Sequence, residues 1–279
     1  MNFNLRTLGP SEAKVVLSLA EQERAVVRPK DVKGILGSEM TSRTVVRNLT
    51  KKGWLARVIA GRYMLLPAEY GPENLGENNS LAMAAAAVDP SYIGWWSAAS
   101  WHGFTTQRPM TIFVATKRQV PTKVIDGNDV RFVKVAERKF FGFETYDVYR
   151  RDVAISSPVK TLVDCVDRPD LCGGPSELTR IVFAALSEVD PEDILRAVTA
   201  LGSKVVMQRL GFLADLVGRP LPAHVSEALH SFIPRTYRSF FGRAERKDGD
   251  IGYVSKWGLF VNAREADLLA EVLSPRKHA

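Results

Sequence analysis

The sequence predicts an α+β protein, with a small basic N-terminal domain and a larger mixed α/β C-terminal domain. Apolar residues recur at helical spacing as far as residue 52, and an alternating, strand-like segment follows at 54–66. Residues 67–79 contain two Pro, two Gly and three Asn, a composition typical of a linker. The 279-residue chain is long enough for two domains, so we predict domains at 1–66 and 80–279.

Charge is distributed unevenly between these two parts. Residues 1–70 contain 12 Lys and Arg against 6 Asp and Glu, a net charge of +6. The remaining residues contain 26 against 25, a net charge of +1. A basic segment joined to a nearly neutral one indicates that the N-terminal domain binds a polyanion, and that the rest of the chain has another task.

The segment 40–66 predicts a helix followed by a β-hairpin. We expect Thr41 or Ser42 to cap the helix, since their hydroxyl oxygens can accept from the free N–H groups of the first turn. Gly53 is expected to end it, because glycine tolerates the left-handed conformation there. The alternating segment then turns at 60–61, as a hairpin would. The helix face expected to enter the core consists of Val45, Val46 and Leu49.

The opposite face of this helix predicts a contact with DNA. Arg43, Arg47 and Lys51 recur at roughly one-turn spacing, so they are expected to form a stripe. Such a stripe is usually only the solvated side of a surface helix. Here no acidic residue occurs from Met40 to Lys52, so the usual i,i+4 acidic partners are expected to be missing. We therefore interpret the stripe as a surface for phosphates or base edges.

The neighbouring elements complete the order of a winged helix-turn-helix. A first helix is predicted at 11–26, with a short strand near its end, and Pro29 and Gly37 are expected to begin and end the second helix. Residues 38–40 would be the turn before the recognition helix, and the hairpin would be the wing. The side chains predicted to bind DNA are Ser42, Arg43, Arg47, Lys51, Arg57 and Arg62.

The C-terminal domain is predicted to mix strands and helices as far as about residue 187, and to continue with a helical hairpin and a C-terminal part. Asp190 followed by Pro191 is typical of a helix start and begins the hairpin, which is expected to reach residue 217. The predicted strands lie at 111–115, 130–136, 146–150 and 253–261. The other predicted helices begin near residue 80, span 97–102, follow a cap at 156–158, span 176–186 and end the chain at 263–273.

A metal-dependent nuclease is the sharpest enzymatic alternative. Such an enzyme needs carboxylates to hold Mg²⁺ and a lysine to steady the attacking water. Asp126, Asp129 and the Glu-Arg-Lys run at 137–139 supply these residue types. Short patterns of this kind often arise by chance, so exposed loops of mixed charge are the favoured interpretation.

No cofactor or metal site is predicted. His102 has no catalytic or metal-ligand partner at a suitable spacing, so we expect it to be structural, in the last turn of a helix. Asp164, Asp167 and Asp170 are expected on the solvated side of a helix. The two cysteines match no zinc pattern and are expected to be reduced.

Two blocks of the C-terminal domain resemble a known family. They are Ser-Ala-Ala-Ser-Trp-His-Gly-Phe-Thr-Thr-Gln-Arg-Pro at 97–109 and Ile-Ser-Ser-Pro-Val-Lys-Thr-Leu-Val-Asp-Cys at 155–165. Behind an N-terminal winged helix, they resemble the AbiEi family of antitoxins, from the type IV toxin–antitoxin (abortive infection) systems of bacteria. The resemblance extends over nearly the whole chain.

The resemblance implies an antitoxin without enzymatic activity. Its winged helix would bind inverted repeats in the promoter of its own operon, with possible dimerisation on this double-stranded DNA, and repress transcription. Its C-terminal antitoxin domain would counteract a nucleotidyltransferase-like toxin. The family's basic winged-helix residues correspond to Arg43, Arg47 and Lys51, with Arg57 and Arg62 in the wing. A winged-helix transcriptional regulator without an antitoxin role is the other alternative.

A cytoplasmic location is expected. The opening ten residues lack an apolar targeting region. The longest small apolar run, at 81–88, has eight residues, whereas a membrane-spanning helix needs about 20.

Overall fold

A computed structural model describes residues 6–66, 68–70, 80–148 and 151–273. The chain divides into two compact units. The first unit contains residues 1–91, 121–130 and 146–153, and the second contains 92–120, 131–145 and 154–279. The boundary therefore differs from the predicted one at residues 67–79, because the segment after the predicted linker, and two later segments, belong to the first unit.

The N-terminal part of the first unit has the element order of a winged helix-turn-helix. Its elements are α1 (Pro10–Glu21), β1 (Val26–Val27), α2 (Pro29–Leu36), α3 (Glu39–Lys51), β2 (Leu55–Ile59) and β3 (Arg62–Leu65), followed by a short 3-10 helix (Ala68–Tyr70) and α4 (Ser80–Ala86). β1, β3 and β2 form an antiparallel sheet in that order. α4 packs against the β2–β3 hairpin, which explains why it belongs to this unit.

Two local signals placed α2 correctly. Pro29 occupies the first turn, and Gly37 ends the helix with φ 75°, a left-handed conformation that glycine adopts without strain. α1 also buries one face in the core of this part. Leu17 is 67% exposed, whereas Val15 and Leu19 are fully buried and pack with the apolar face of α3 in one core.

The turn before α3 is shorter than predicted. Ser38 is the N-cap, with its Oγ accepting from the Thr41 N–H at 3.4 Å, and the helix begins at Glu39. The predicted caps Thr41 and Ser42 therefore lie inside the first turn. Serine and threonine suit a cap equally well in sequence, so the pattern alone could not choose among three candidates within five residues.

The later elements are more numerous than the sequence predicted. In chain order they are β4 (Ser91–Ile93), α5 (Trp95–Trp101), β5 (Thr111–Thr116), β6 (Lys123–Ile125), β7 (Asn128–Lys134), β8 (Phe143–Asp147), β9 (Asp152–Ser156), α6 (Pro158–Asp167), α7 (Pro175–Ala185), α8 (Pro191–Leu201), α9 (Lys204–Leu216), α10 (Ala223–Phe232), β10 (Ser239–Gly242), β11 (Gly252–Val254), β12 (Leu259–Asn262) and α11 (Glu265–Leu273). Short 3-10 helices occur at Glu137–Lys139 and Pro169–Leu171.

The strands form two further sheets within the described residues. One has the order β6-β7-β5-β4-β9-β8, with β4 parallel to β9 and β6 antiparallel to β7. The other has the order β10-β12-β11, in which β10 and β12 are parallel and β11 is antiparallel. The single strand predicted at 253–261 is thus a hairpin, while β4, β6, β9 and β10 were not predicted.

α6 is the centre of the second unit's core. Leu162, Val163 and Val166 are fully buried, and α6 packs against α5, α7, α8 and α9. The predicted start of this helix is confirmed, since Ser157 is the N-cap and Pro158 follows it. The two helices of the predicted helical hairpin are present as α8 and α9, and both pack against α6.

None of the described helices is long and apolar enough to cross a membrane.

Candidate nucleic-acid interface

Burial of one face of α3 determines which of its residues face solvent. Val45, Val46 and Leu49 are at most 5% exposed, as predicted. Their burial fixes the rotation of the helix, because residues three and four apart share one side. The residues turned outward are Met40, Thr41, Arg43, Thr44, Arg47 and Lys51.

The basic side chains of α3 meet the wing at a shallow concavity of about 470 Å³. Arg57 is the exposed residue of β2, between the buried positions Leu55 and Val58. The lining residues are Pro29, Arg43, Val46, Arg47, Thr50, Lys51, Arg57 and Tyr63. We call this concavity, with the exposed face of α3, the α3–wing surface. It brings together the predicted residues Arg43, Arg47, Lys51 and Arg57.

One acidic residue does reach this surface, contrary to the prediction. Because α3 begins at Glu39, this residue is the i,i+4 partner of Arg43, and their side chains lie 2.6 Å apart. Lys33 of α2 approaches the same carboxylate at 3.3 Å. The hydrogen bond from Lys33 and the charges of Lys33 and Arg43 lower the pKa of Glu39. Arg43 therefore has an acidic partner in the free protein.

Arg47 and Arg57 differ from Arg43 in this respect. Among the described residues neither of them forms an ion pair. Both are exposed, so they can approach a polyanion without first breaking a contact with a carboxylate.

Two predicted site residues lie elsewhere. Ser42 is 1% exposed, and its hydroxyl donates to the Ser38 carbonyl at 2.6 Å, so its side chain cannot contact DNA. Arg62 donates from Nη1 to the Ala86 carbonyl at 3.0 Å, at the end of α4. Because α4 covers the hairpin, Arg62 is held against the protein instead of extending from the wing tip. We remove both from the candidate site.

The surface also has an apolar and hydroxyl-bearing part, which the sequence pattern did not indicate. Met40 is 81% exposed, and Thr41 and Thr44 are exposed beside it in the N-terminal half of α3. In helix-turn-helix proteins this half of the recognition helix contacts base edges. The signal in the sequence was Met40 itself. Turns favour Gly, Pro, Asn, Asp and Ser, so a methionine in the predicted turn indicates an earlier helix start.

The end of α3 is fixed to α1 by a partly buried ion pair. Lys52 lies 2.6 Å from Glu12, whose carboxylate also accepts from the Gly9 N–H at 2.8 Å. Burial alone would raise the pKa of Glu12, but the Gly9 hydrogen bond and Lys52 together lower it. This contact holds the C-terminal end of the recognition helix against the first helix.

The residue types of the nuclease alternative make other contacts. Lys139 pairs with Asp167, and Glu137 pairs with Lys117. No cluster of side chains suited to hold a metal ion occurs in the parts of the chain that the structure describes. The geometry therefore gives the nuclease pattern no support.

His102 lies at the helix end where the sequence predicted it. It follows α5 as the C-cap, and its Nε2 lies 2.7 Å from the Ser156 carbonyl. Because a carbonyl only accepts, Nε2 must carry the proton in this contact. Burial lowers the pKa of His102, which favours the neutral ring.

The predicted solvated row of aspartates is wrong for Asp164. This residue is 4% exposed and forms an ion pair with the buried Lys160. The Tyr92 hydroxyl donates to the Asp164 carboxylate at 3.1 Å, and Lys160 Nζ lies 3.3 Å from the same hydroxyl. Burial raises the pKa of Asp164 against the opposing effect of Lys160. These contacts form a buried polar group inside the second unit.

The fold and the exposed cations define a class of protein: a winged-helix unit joined to a larger mixed α/β unit. Residues 92–216 match the family model of the AbiEi antitoxin C-terminal domain. The resemblance to the AbiEi family is thereby confirmed, and this part of the chain is similar to the AbiEi antitoxin C-terminal domain. No curated protein matches the sequence.

A solved structure shares the fold over nearly the whole chain. It is the crystal structure of the RV2827C protein from Mycobacterium tuberculosis, with a TM-score of 0.63, 18% identity and 96% of each chain covered. At this identity the similarity concerns the fold alone. It extends beyond residues 92–216 and includes the winged-helix part.

Proposed function

We propose that this protein is the antitoxin of a type IV toxin–antitoxin system, which represses its own operon and counteracts a nucleotidyltransferase-like toxin. The observation that carries the proposal is the AbiEi antitoxin domain at 92–216. The exposed cations of the α3–wing surface support the repressor part. The concentration of net positive charge in residues 1–70, +6 against +1 for the rest of the chain, suits two separate tasks.

The α3–wing surface suits B-form DNA in its arrangement of residue types. Arg47 and Lys51 lie along the outer face of α3, where a helix in the major groove meets base edges and the flanking phosphates. Thr41 and Thr44 can place methyl groups against thymine and hydroxyls against phosphate. Arg57 of the wing is positioned for the sugar–phosphate backbone. Two copies on an inverted repeat would double these contacts and explain a symmetric operator.

DNA binding is tested with fluorescently labelled DNA from upstream of the gene. Replacing Arg47→Ala and Arg57→Ala together should weaken binding at least about tenfold, because a strong arginine contact to a base contributes roughly 1–3 kcal/mol and the loss of the Arg57 phosphate contact adds to this. The slope of log affinity against log salt should also become less steep by about one unit for each lost phosphate contact. Lys14→Ala is the matched control, since Lys14 is an exposed cation on α1, outside the α3–wing surface. Equal affinities for the double variant and this control would contradict the assignment.

Toxin neutralisation is tested separately, with the nucleotidyltransferase gene expected beside this one. Co-expression of the Arg47→Ala, Arg57→Ala variant with that toxin should restore growth as well as the wild type does, because neutralisation is assigned to the other unit. Arg43→Ala with Arg47→Ala should behave in the same way. Failure of the wild-type chain to restore growth would return the protein to the class of general regulators. Degradation of DNA in Mg²⁺, abolished by Lys139→Ala, would favour the nuclease alternative.

A further inference from the structure

An exposed row of aromatic rings crosses the β10-β12-β11 sheet of the second unit. Phe240 is opposite Phe260, and Phe260 is opposite Tyr253 in the strand register. The ring centroids of Phe240 and Phe260 are 5.2 Å apart in a stacked arrangement, and those of Phe260 and Tyr253 are 4.9 Å apart. We call these three side chains the aromatic platform. It lies outside the segment that matches the antitoxin domain.

The platform is not needed to bury the sheet. Side chains alternate along each strand, and the inward positions Phe241, Leu259 and Val261 are already buried in the unit's core. On the outer face Phe240 is 61% exposed and Tyr253 is 43% exposed. Three adjacent aromatic side chains on an outer face form an apolar patch of the kind that marks an interaction site.

A planar cation is fixed beside the platform. The guanidinium carbon of Arg238 lies 5.3 Å from the centroid of Tyr253. Arg238 Nη1 donates to the carbonyls of Arg235 at 2.6 Å and Tyr237 at 3.0 Å, which holds its plane in place. Arginine stacks on flat π-systems and binds phosphate, so this side chain extends the platform and adds positive charge.

A basic groove of about 240 Å³ begins at Tyr253. Its cationic lining residues are Arg235, Arg238 and Lys256. Lys256 lies 2.7 Å from Asp215, whereas Arg235 forms no ion pair within the described ranges. The groove is therefore suited to phosphate groups that continue past the rings.

The base of the groove is held rigidly. Trp257 is 2% exposed, and its Nε1 donates to Asp215 at 2.7 Å. The His230 ring stacks on it at 4.3 Å. The indole also packs against Gly211 of α9 so closely that a Cβ there would overlap it. Because these side chains are already fixed, binding of a ligand costs less conformational entropy.

We propose that the aromatic platform and the basic groove bind an unpaired stretch of RNA, with bases stacked on the rings and phosphates in the groove. Exposed aromatic side chains on a sheet, next to cations, are how single-stranded nucleic acids are bound without regard to sequence. A duplex keeps its base faces covered, so it cannot use the platform. Unpaired bases occur chiefly in the loops and ends of RNA, which favours RNA over DNA.

A protein partner is the rival occupant of an apolar face. The rings alone would suit it equally well. The fixed guanidinium plane and the basic groove next to the rings suit a ligand that combines flat apolar surfaces with regularly spaced negative charge, which describes a nucleic-acid strand. The experiment therefore measures both occupants.

The test uses the full chain carrying Arg47→Ala and Arg57→Ala, so that the winged helix contributes little binding. Affinity is measured for a labelled 12-nucleotide RNA of unpaired adenines and for an abasic strand of equal length. Phe240→Ala or Tyr253→Ala should weaken RNA binding about 5- to 150-fold, which corresponds to roughly 1–3 kcal/mol per stacked base. Phe232→Ala is the matched control, because Phe232 is 46% exposed at the end of α10 and should have no effect. Both platform residues face outward, so unchanged circular dichroism is expected and is checked for each variant.

The same measurements can overturn the proposal. Stacking requires that the RNA bind much more tightly than the abasic strand, and equal affinities would leave only charge attraction. Tighter binding of the matching single-stranded DNA would make the ligand DNA and not RNA. If Phe240→Ala weakened capture of the purified toxin and left RNA binding unchanged, the platform would be a protein interface and the proposal would be wrong.

Discussion

The arginine side chains of the α3–wing surface are used differently from a set of arginines in the second unit. On the α3–wing surface Arg47 and Arg57 extend into solvent. In the second unit, several arginines instead donate to main-chain carbonyls in the last turns of helices. The donor–acceptor pairs are Arg138–Leu201, Arg180–Glu271, Arg209–Val166 and Arg219–Phe183.

The difference follows from what each helix end requires. The last four carbonyls of a helix lack intrahelical partners, and the helix dipole makes them attractive to cations. In the second unit arginines from neighbouring elements satisfy these carbonyls, so their charge is used inside the fold. The number of basic residues in a segment therefore overestimates how many cations are available to bind a polyanion. Whether an arginine is available depends on whether its guanidinium already donates to a carbonyl of the protein.

Among the cations that the structure describes, the buried Lys160 should show the largest effect on stability. Lys160→Met leaves Asp164 buried without its ammonium partner, and breaking a buried pair in this way costs about 3–5 kcal/mol. Lys160→Met combined with Asp164→Leu should recover most of that loss. Denaturant unfolding of the full chain measures both variants. A single variant as stable as Arg196→Met, whose pair with Asp193 is exposed, would show that the buried contact contributes little.

The capping arginines should show an intermediate effect. Arg219 Nη1 lies 2.9 Å from the Phe183 carbonyl, and its guanidinium lies 3.8 Å from the Phe183 ring. Arg219→Ala should lower the free energy of unfolding by about 1–3 kcal/mol, the usual range for a hydrogen bond to a charged group. Arg47→Ala should change it by no more than about 0.5 kcal/mol, as an exposed substitution does. Equal losses in thermal unfolding would remove the distinction between the two uses of arginine.

The smallest expected effect concerns pH and His102. The pKa of this ring is lowered by burial in the folded state, so the unfolded chain binds a proton more readily. The stabilising contribution is complete above about pH 6.5, the ordinary histidine value, and is lost as the pH falls through the lower folded-state pKa. Unfolding free energies at pH 8 and pH 5 should differ less in His102→Gln than in the wild type. An identical pH dependence in both proteins would assign the loss to other groups.

Local signals in the sequence predicted much of the first unit. Pro29 and Gly37 marked α2, and the turn at 60–61 marked the hairpin, because these features depend only on neighbouring residues. The start of α3 was misplaced by three or four residues, which hid the pairing of Glu39 with Arg43. That pairing could be inferred only after the true N-cap was known.

Contacts between distant residues account for the remaining errors. Arg62 was assigned to DNA because its partner carbonyl on Ala86 lies 24 positions later. Asp164 was assigned to solvent because Tyr92, which helps to bury it, lies 72 positions earlier. The aromatic platform depends on the pairing of β10 with β12, a parallel register that the pattern of the chain did not indicate.

The contact between Gly211 and Trp257 restricts how this sequence can change. Alanine forms helices better than glycine by about 1 kcal/mol, so Gly211→Ala would ordinarily be expected to stabilise α9. Here a methyl group would displace the indole of Trp257, which forms the base of the groove beside Arg238. Stabilising libraries that replace helical glycines should therefore fail at this residue unless a smaller side chain replaces the tryptophan in the same clone.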